Sequence, residues 1–265
     1  MFTILLAQVV AALAAPVLVR VMGRNAFYPL ALVPAGSAVW LASHDPRDLA
    51  HTPIDTRVEW IPEFDIALGF RLDPLSWVLA MIATAIGALV LVYCARYFKN
   101  TEPGLGRFAG VLTAFAGAMV GLVLAEDAMM LYTFWELTTI FSYLLIGHYN
   151  EKQASRRAAM NAIISTTAGG LAMLVGLLML AYRAGSMNLS DIVASPMWSE
   201  SSPYLLTGLL LVMAGAMSKS ALVPTHFWLP GAMAAPTPVS AYLHAAAMVK
   251  AGIYLILRFA PAIAH

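Results

Sequence analysis

The sequence predicts an all-α polytopic membrane protein with about eight transmembrane helices, a broken seventh helix and an outside N-terminus. Hydrophobic residues make up 61% of the chain and charged residues only 11%, whereas soluble domains are about one quarter charged. Apolar stretches recur that are long enough to cross a bilayer core of about 30 Å, which takes about 20 residues per helix. The net charge of +1 gives no basic field for nucleic acid, so we expect lipid to surround the chain.

Eight apolar stretches have the length and composition of membrane-spanning helices. They are residues 2–22, 26–43, 75–98, 108–125, 128–147, 155–182, 203–235 and 237–260. No basic residue precedes the first stretch, which is also longer than a typical signal core, so we interpret it as a retained helix. The seventh is too long for one regular helix, and Pro224 and Pro230 interrupt it, which predicts a break near Pro224.

The basic residues between these stretches predict the orientation, because cytoplasmic loops accumulate Lys and Arg. With the N-terminus outside, the inner loops hold Arg20, Arg24, Arg96, Lys99, Arg107, Lys152, Arg156 and Arg157. The outer loops then hold only Arg47, Arg57, Arg71 and Arg183, together with most of the acidic residues. We therefore predict a multi-pass membrane protein with its N-terminus outside.

The longest loop, residues 44–74, carries a strand pattern. Apolar residues alternate with other residues from Phe64 to Leu72, which is the period of a half-buried strand. This run is predicted to pair with Arg57–Ile61 in a small outer β-hairpin. We expect the hairpin to cover the outer helix ends and assign it no chemistry.

A few charged or titratable residues fall inside the apolar stretches, where a central charge costs about 3 kcal/mol on insertion scales. They are Glu136, Lys219, His244, Lys250 and Arg258, with His148 and His226 near a helix end or the predicted break. A residue kept at that cost usually pairs or carries protons or ions. Arg258 lies near the outer end of its helix, where an interfacial anchor is expected.

Glu136 and Lys219 are the first two candidates for a proton relay. Glu136 stands about eight residues into its helix, which places it about 12 Å below the outer end. Lys219 precedes the break at Pro224, and interrupted helices open hydrated sites in membrane transporters. The alternatives are a carboxylate permanently paired for helix packing and a lysine that reaches a membrane interface.

His244 and Lys250 are the next candidates, six residues apart on the eighth helix, or about 9 Å along a regular axis. Histidine titrates near neutral pH and can accept and donate protons on different nitrogens, which suits a relay. The alternative for His244 is a satisfied core residue. His226 and His148 are secondary candidates. The single cysteine, Cys94, is interpreted as an apolar filler without the spacing of a metal site.

Residues 219–255 closely resemble the antiporter-like subunits shared by Mrp-type multisubunit Na⁺/H⁺ antiporters and respiratory complex I. The matching stretch begins Lys219-Ser-Ala-Leu-Val-Pro-Thr-His-Phe-Trp-Leu-Pro-Gly-Ala-Met and includes the broken helix. Trp135-Glu-Leu-Thr and Arg71-Leu-Asp-Pro-Leu-Ser match as well. Within this family, Lys250 and Phe227-Trp-Leu-Pro-Gly-Ala-Met are most similar to the large A subunits of the Mrp type.

The resemblance implies that Glu136 and Lys219 form the charged pair of one proton half-channel and that His244 and Lys250 continue a central polar axis. It also implies a division into residues 1–98, with three helices and the outer loop, and residues 108–260, one five-helix repeat. The family's second, inverted repeat is absent from this chain, which ends at His265. We therefore expect a fragment of a longer subunit, and the alternative is a natural short subunit completed by a partner.

Three functions follow as expectations. The first is proton conduction in a multisubunit antiporter that exchanges Na⁺ or another monovalent cation, a secondary transporter rather than an enzyme. The second is proton pumping in a complex I-like or hydrogenase-like assembly whose redox chemistry lies in other subunits, because this chain carries no nucleotide, flavin or metal motif. The third is a scaffold half-module that only packs against neighbouring subunits. No cofactor and no metal is expected in this chain.

Overall fold

The computed structural model of the protein describes residues 1–61, 66–200 and 202–263. Helices dominate this part of the chain. The first four are α1 (Phe2–Met22), α2 (Phe27–Ala42), the short α3 (Pro46–His51) and α4 (Pro74–Tyr97). The next four are α5 (Leu105–Leu124), α6 (Ala128–Ile146), α7 (Gln153–Ala184) and the short α8 (Leu189–Ala194). The last are α9 (Pro203–Lys219), α10 (Trp228–Ala232), α11 (Thr237–Ser240) and α12 (Met248–Ile263).

Among the described residues, six stretches are long and apolar enough to cross a membrane. The first, Phe2–Ala42, contains both α1 and α2, and α9 is a shorter apolar helix. Counting α1 and α2 separately and adding α9 gives eight apolar segments, as predicted from hydropathy. The all-α polytopic membrane fold is therefore confirmed.

The predicted outer hairpin is present. Strand β1 (Ile54–Ile61) pairs antiparallel with β2 (Ile66–Leu72), in a register that places Ile54 opposite Leu72. Phe64 and Asp65, which the sequence pattern included in the second strand, lie outside the described residues. Phe70 is buried and packs against Phe2 and Phe134, with ring centroids 5.1 and 6.0 Å apart. The hairpin therefore covers the neighbouring ends of α1 and α6.

Glycines allow α7 and α9 to pack closely. A methyl group at Gly176 of α7 would lie 2.5 Å from the Gly208 carbonyl oxygen of α9, and one at Gly215 of α9 would lie 2.8 Å from the Gly169 carbonyl oxygen. Small residues at helix contacts are typical of membrane bundles, where backbone proximity replaces hydrophobic burial as the source of packing energy. This contact fixes the C-terminal end of α9 against α7.

The seventh segment is broken, but the break begins earlier than the prolines suggested. Helix α9 ends at Lys219, and Ala221 adopts a positive φ of 51° before Pro224 is reached. A 3₁₀ turn at Thr225–Phe227 then leads into α10. The prediction of a break in this segment is confirmed, and Lys219 is the last residue of the helix before it.

The eighth segment differs from the regular helix expected over 237–260. Helix α11 passes into a π-helical segment, Ala241–Ala246, and the backbone bends at Ala247 before α12 begins. A π segment shifts side chains around the axis and often occurs at functional positions. His244 lies in this segment, so the spacing of about 9 Å calculated for a regular helix between His244 and Lys250 does not apply.

Candidate functional site

Helix α6 carries Glu136 into the helix bundle. The helix begins at the capping residue Asp127, whose side chain accepts hydrogen bonds from the backbone of Met129 and Met130, which satisfies free amides of the first turn. Glu136 is half-buried. A methyl group at Gly170 of α7 would collide with its Oε1 atom, so the carboxyl group occupies the notch that this glycine leaves between the helices.

Lys219 is fully buried at the C-terminal end of α9. Its Nζ atom donates to the Trp135 carbonyl oxygen at 2.5 Å and to Thr139 Oγ1 at 3.0 Å. The same atom lies 4.5 Å from the centroid of the Trp135 ring, within the range of a cation–π interaction. The ammonium group is therefore held by neutral oxygens and an aromatic face on α6.

Glu136 and Lys219 lie close together without direct contact. The residues that hold Lys219, Trp135 and Thr139, flank Glu136 on the same helix. In the described chain, no ion pair within 4.0 Å joins the two charged groups, and Oε1 of Glu136 is buried without a hydrogen-bond partner. Glu136 and Lys219, the charged pair implied by the family resemblance, are thus neighbours that do not touch. A proton could pass between them only through an intervening group.

The unwound segment after α9 leaves backbone carbonyls that side chains satisfy. Trp228 Nε1 donates to the Ser218 carbonyl at 3.0 Å, and Thr225 Oγ1 donates to the Met217 carbonyl at 3.0 Å. Ser220 Oγ donates to the Val249 carbonyl of α12 at 2.6 Å. These bonds compensate for lost helix hydrogen bonds, as buried backbone in a membrane requires, and they fix the end of α9 against α10 and α12.

His244 and Lys250 lie on the two sides of the bend at Ala247. Both ring nitrogens of His244 are buried and lack hydrogen-bond partners among the described residues. Its ring centroid lies 6.5 Å from that of Trp228, the residue bonded to the end of α9. Lys250 is half-buried and follows Val249, which Ser220 contacts. Both residues therefore border the elements that surround Lys219.

The secondary candidates, His226 and His148, lie apart from this centre. His226 is exposed on the unwound segment, as is Pro224, the residue predicted to mark the break. His148 is buried just after α6 and stacks edge-on against Phe108, with centroids 4.9 Å apart. Burial and the charge of Arg107 lower the pKa of His148, although the charge of Glu102 opposes this shift. The structure does not bring His148 or His226 to Lys219.

A second charged cluster lies where β2 meets the ends of α4, α6 and α12. Arg258 is largely buried, forms an ion pair with Asp73, and also donates to Tyr254 Oη at 3.0 Å. Burial alone would raise the pKa of Asp73, but Arg258 and hydrogen bonds from Ser76 hold it below its usual value. Arg258 is thus compensated by Asp73 at the start of α4, and its role as an anchor near the outer helix end stays a prediction.

Glu126 belongs to the same end of the molecule. Its carboxylate accepts hydrogen bonds from the backbone and hydroxyl of Ser190 and lies 3.9 Å from Arg71. Burial raises the pKa of Glu126 despite these hydrogen bonds and the charges of Arg258 and Arg71. Sequence reasoning missed both ion pairs, because the partners are far apart in the chain and most of them were assigned to solvent-exposed loops.

Within the ranges that the structure describes, no group of three or more His, Cys, Asp or Glu side chains is arranged to hold a metal ion. The chemistry available at the centre is that of a carboxylate, an ammonium, an imidazole and hydroxyls. These groups can accept, donate and hold protons.

Comparison with known proteins identifies the family. Residues 125–265 match the model of the NADH:quinone oxidoreductase/Mrp antiporter transmembrane family, and residues 60–109 match the N-terminal model of complex I chain 5. The chain is 46% identical over 208 residues to a probable A/B subunit of a K⁺/H⁺ antiporter from Rhizobium meliloti (strain 1021), covering 78% of this chain and 21% of that protein. It is 39% identical over 242 residues to a putative antiporter subunit mnhA2 of Staphylococcus aureus (strain N315), covering 91% and 30%.

Two solved structures are also similar. A chain of the Mrp complex from Dietzia sp. DQ12-45-1b superposes with a TM-score of 0.90 at 40% identity, covering 97% of this chain and 28% of that one. A chain of an archaeal membrane-bound sulfane sulfur reductase superposes with a TM-score of 0.77 at 21% identity, covering 95% and 51%, and shares the fold. The chain spans less than a third of the length of the two curated relatives. Because the first family model matches more than half of its residues, the protein belongs to the NADH:quinone oxidoreductase/Mrp antiporter transmembrane family.

Proposed function

We propose that this chain conducts protons as part of the large A subunit of a multisubunit monovalent cation/proton antiporter in a bacterial cell membrane. Residues 108–260 would form one antiporter-like repeat, preceded by the helices and outer loop of residues 1–98. The other subunits of the assembly are its partners. Na⁺ is the exchanged cation expected from Mrp-type relatives, and K⁺ is the cation named for the Rhizobium meliloti relative.

The single observation that carries the proposal is the environment of Lys219. Its nitrogen is fully buried and is held by a carbonyl and a hydroxyl oxygen rather than by a carboxylate. A neutral amine keeps two N–H donors, so both contacts can persist after a proton leaves. A buried lysine that can lose its proton without losing its position is suited to pass protons rather than to serve as a fixed structural charge.

The other residues extend this site in both directions. Glu136 lies beside the holders of Lys219 on α6, and His244 and Lys250 border the unwound segment that follows it. We assign the proton path to Glu136, Lys219, His244 and Lys250, with water molecules joining groups that are not in contact. Pro224 helps to maintain the unwound segment, because it cannot donate to a helical hydrogen bond.

The test replaces Lys219 by Ala in the complete complex and measures cation-driven proton flux in vesicles. We expect the flux to fall by about 10²-fold or more, the usual contribution of a positioned proton-transfer group. The matched control is Lys99→Ala, which removes an exposed lysine and should leave the flux unchanged. Undiminished flux in a correctly assembled Lys219→Ala complex would refute the proposal.

A redox-driven pump is the second candidate, because the family model that matches residues 125–265 includes NADH:quinone oxidoreductases as well as Mrp antiporters. In that assembly the same residues would move protons while electrons react in other subunits. Flavin or iron–sulfur subunits that copurify with the chain would favour the pump. A complex that contains neither and exchanges cations for protons would favour the antiporter.

A further inference from the structure

We propose that an anionic phospholipid of the inner leaflet binds in a groove between α1, α2 and α4, with its headgroup on Arg24 and Arg96. The groove has a volume of about 820 Å³. Its lining includes Leu18 and Met22 of α1, Tyr28 and Leu32 of α2, and Ala88 and Leu89 of α4. The proposal is independent of the proton path and concerns a different face of the chain.

The shape of the groove suits an acyl chain. Its floor consists largely of alanines on α2 and α4, whereas Leu32 and Leu89 stand at the rims with exposed fractions of 71% and 69%. Apart from the tyrosine hydroxyl at one end, the lining side chains are apolar. A hydrocarbon chain lying between the rims would gain packing contacts that a freely moving lipid lacks.

One end of the groove changes from apolar to cationic. A second pocket of about 430 Å³ shares Met22, Tyr28 and Pro29 with it and adds Arg24, Asn25, Ala95 and Arg96. Arg96 donates to Tyr28 Oη at 3.0 Å, and Arg24 lies 3.5 Å from the Phe98 carbonyl oxygen. Both contacts use neutral acceptors, which leaves further guanidinium donors for a ligand.

The charge at this end is uncompensated. In the described ranges, neither Arg24 nor Arg96 forms an ion pair within 4.0 Å of a carboxylate. Both arginines lie at the membrane side that the distribution of Lys and Arg assigns to the cytoplasm. Guanidinium groups bind phosphate oxygens in a bidentate manner, and basic pockets between helices on this side bind anionic headgroups.

The positive charges of Arg24 and Arg96 favour an anionic lipid in the groove over a helix of another subunit. A helix that fills the groove would have to bring its own acidic residue to the two arginines at the interface. An anionic phospholipid supplies both an acyl chain for the apolar groove and a phosphate for Arg24 and Arg96. We therefore assign the site to a lipid such as phosphatidylglycerol.

The test uses a photoactivatable phosphatidylglycerol and the matching phosphatidylcholine in vesicles containing the complete complex. We expect phosphatidylglycerol to label groove residues such as Leu32 and Leu89 in preference to phosphatidylcholine. Arg24→Gln and Arg96→Gln should each reduce the labelling about fivefold, the effect of about 1 kcal/mol per basic residue near the membrane surface. Arg157→Gln removes an exposed arginine in the first turns of α7 and should leave the labelling unchanged.

Two results would overturn the proposal. One is equal labelling by both lipids, or labelling that Arg24→Gln and Arg96→Gln do not change. The other is protection of the groove by a cross-linked helix of a neighbouring subunit. The double variant Arg24→Lys with Arg96→Lys keeps both charges and should retain much of the labelling. Assembly of the glutamine variants is measured separately, because a variant that fails to assemble has lost labelling through misfolding.

Discussion

The ammonium nitrogen of Lys219 lies 2.5 Å from the backbone carbonyl oxygen of Trp135, one residue before Glu136. This contact joins the last residue of α9 to the middle of α6. Thr139 supplies the second oxygen, 3.0 Å from the same nitrogen. The position of the lysine is therefore set by α6, and changes to its holders should affect transport without removing any charge.

Thr139→Val tests the hydroxyl that holds Lys219. The substitution keeps the side-chain shape but removes the acceptor, and a hydrogen bond to a charged group contributes about 1.5–3 kcal/mol. We expect proton flux in vesicles to fall by about tenfold, less than in Lys219→Ala, while Thr139→Ser retains most of the flux. Thr113→Val is the control, because Thr113 is equally buried but bonds only to the Ala109 carbonyl of its own helix. Equal losses in both valine variants would contradict a specific role for Thr139.

Gly170→Ala tests the notch that accommodates the Glu136 carboxyl group. A methyl group there would collide with Oε1 of Glu136 and lie 3.4 Å from Cδ1 of Trp135, so the carboxyl group must move. We expect reduced proton flux in a complex that still assembles. Gly36→Ala is the matched control, because nothing lies within 4 Å of an added methyl group at that helical glycine. If Gly170→Ala transports as well as Gly36→Ala, the position of the carboxyl group does not matter for flux.

Asp73→Asn tests the ion pair with Arg258. Removing one partner of a largely buried pair leaves the other charge uncompensated, which costs about 3 kcal/mol or more. We expect a clear loss of thermal stability, measured on the complex in detergent. Arg183→Gln, which breaks the exposed pair with Glu200, should cost less than about 1 kcal/mol.

The same pair predicts a pH dependence with a defined sign. The folded pKa of Asp73 is lowered, so its carboxylate contributes stability that is complete above the unfolded pKa of about 3.9. That contribution is lost as the pH falls through the lowered folded pKa. The stability difference between wild type and Asp73→Asn should therefore shrink below about pH 4. A difference that stays constant down to strongly acidic pH would contradict the assigned pair.

Hydropathy predicted the helices because lipid imposes a length and an apolar composition on every crossing segment. The hairpin followed from alternation, and the broken segment followed from Pro224 and Pro230. Alternation and hydropathy depend only on residues that are close together in the chain, so a single stretch of sequence is enough to detect them. For this reason the ends of α1, α2, α4 and α6 lie within two residues of the predicted limits.

The contacts within the site were not predictable in this way. The hydrogen bond from Lys219 to Thr139 joins residues 80 positions apart, and the ion pair of Arg258 with Asp73 joins residues 185 apart. The amino-acid composition around His244 does not distinguish a π-helical segment from an α-helix. The segment instead makes a tertiary contact, in which Tyr242 donates a hydrogen bond to the Ala83 carbonyl at 2.8 Å. The sequence alone showed that Glu136, Lys219, His244 and Lys250 are titratable residues placed at an energetic cost in apolar segments. Which groups contact them depends on the packing of distant parts of the chain.

We expect Glu136 to exchange protons along a path with Lys219 and not merely to pack the bundle. The most direct measurement is cation-driven proton flux of Glu136→Gln in the complete complex, with assembly measured on the same preparation. We expect a normally assembled complex whose flux falls by about 10²-fold or more. Full flux in an assembled Glu136→Gln complex would contradict it, and a complex that fails to assemble would support a packing role instead.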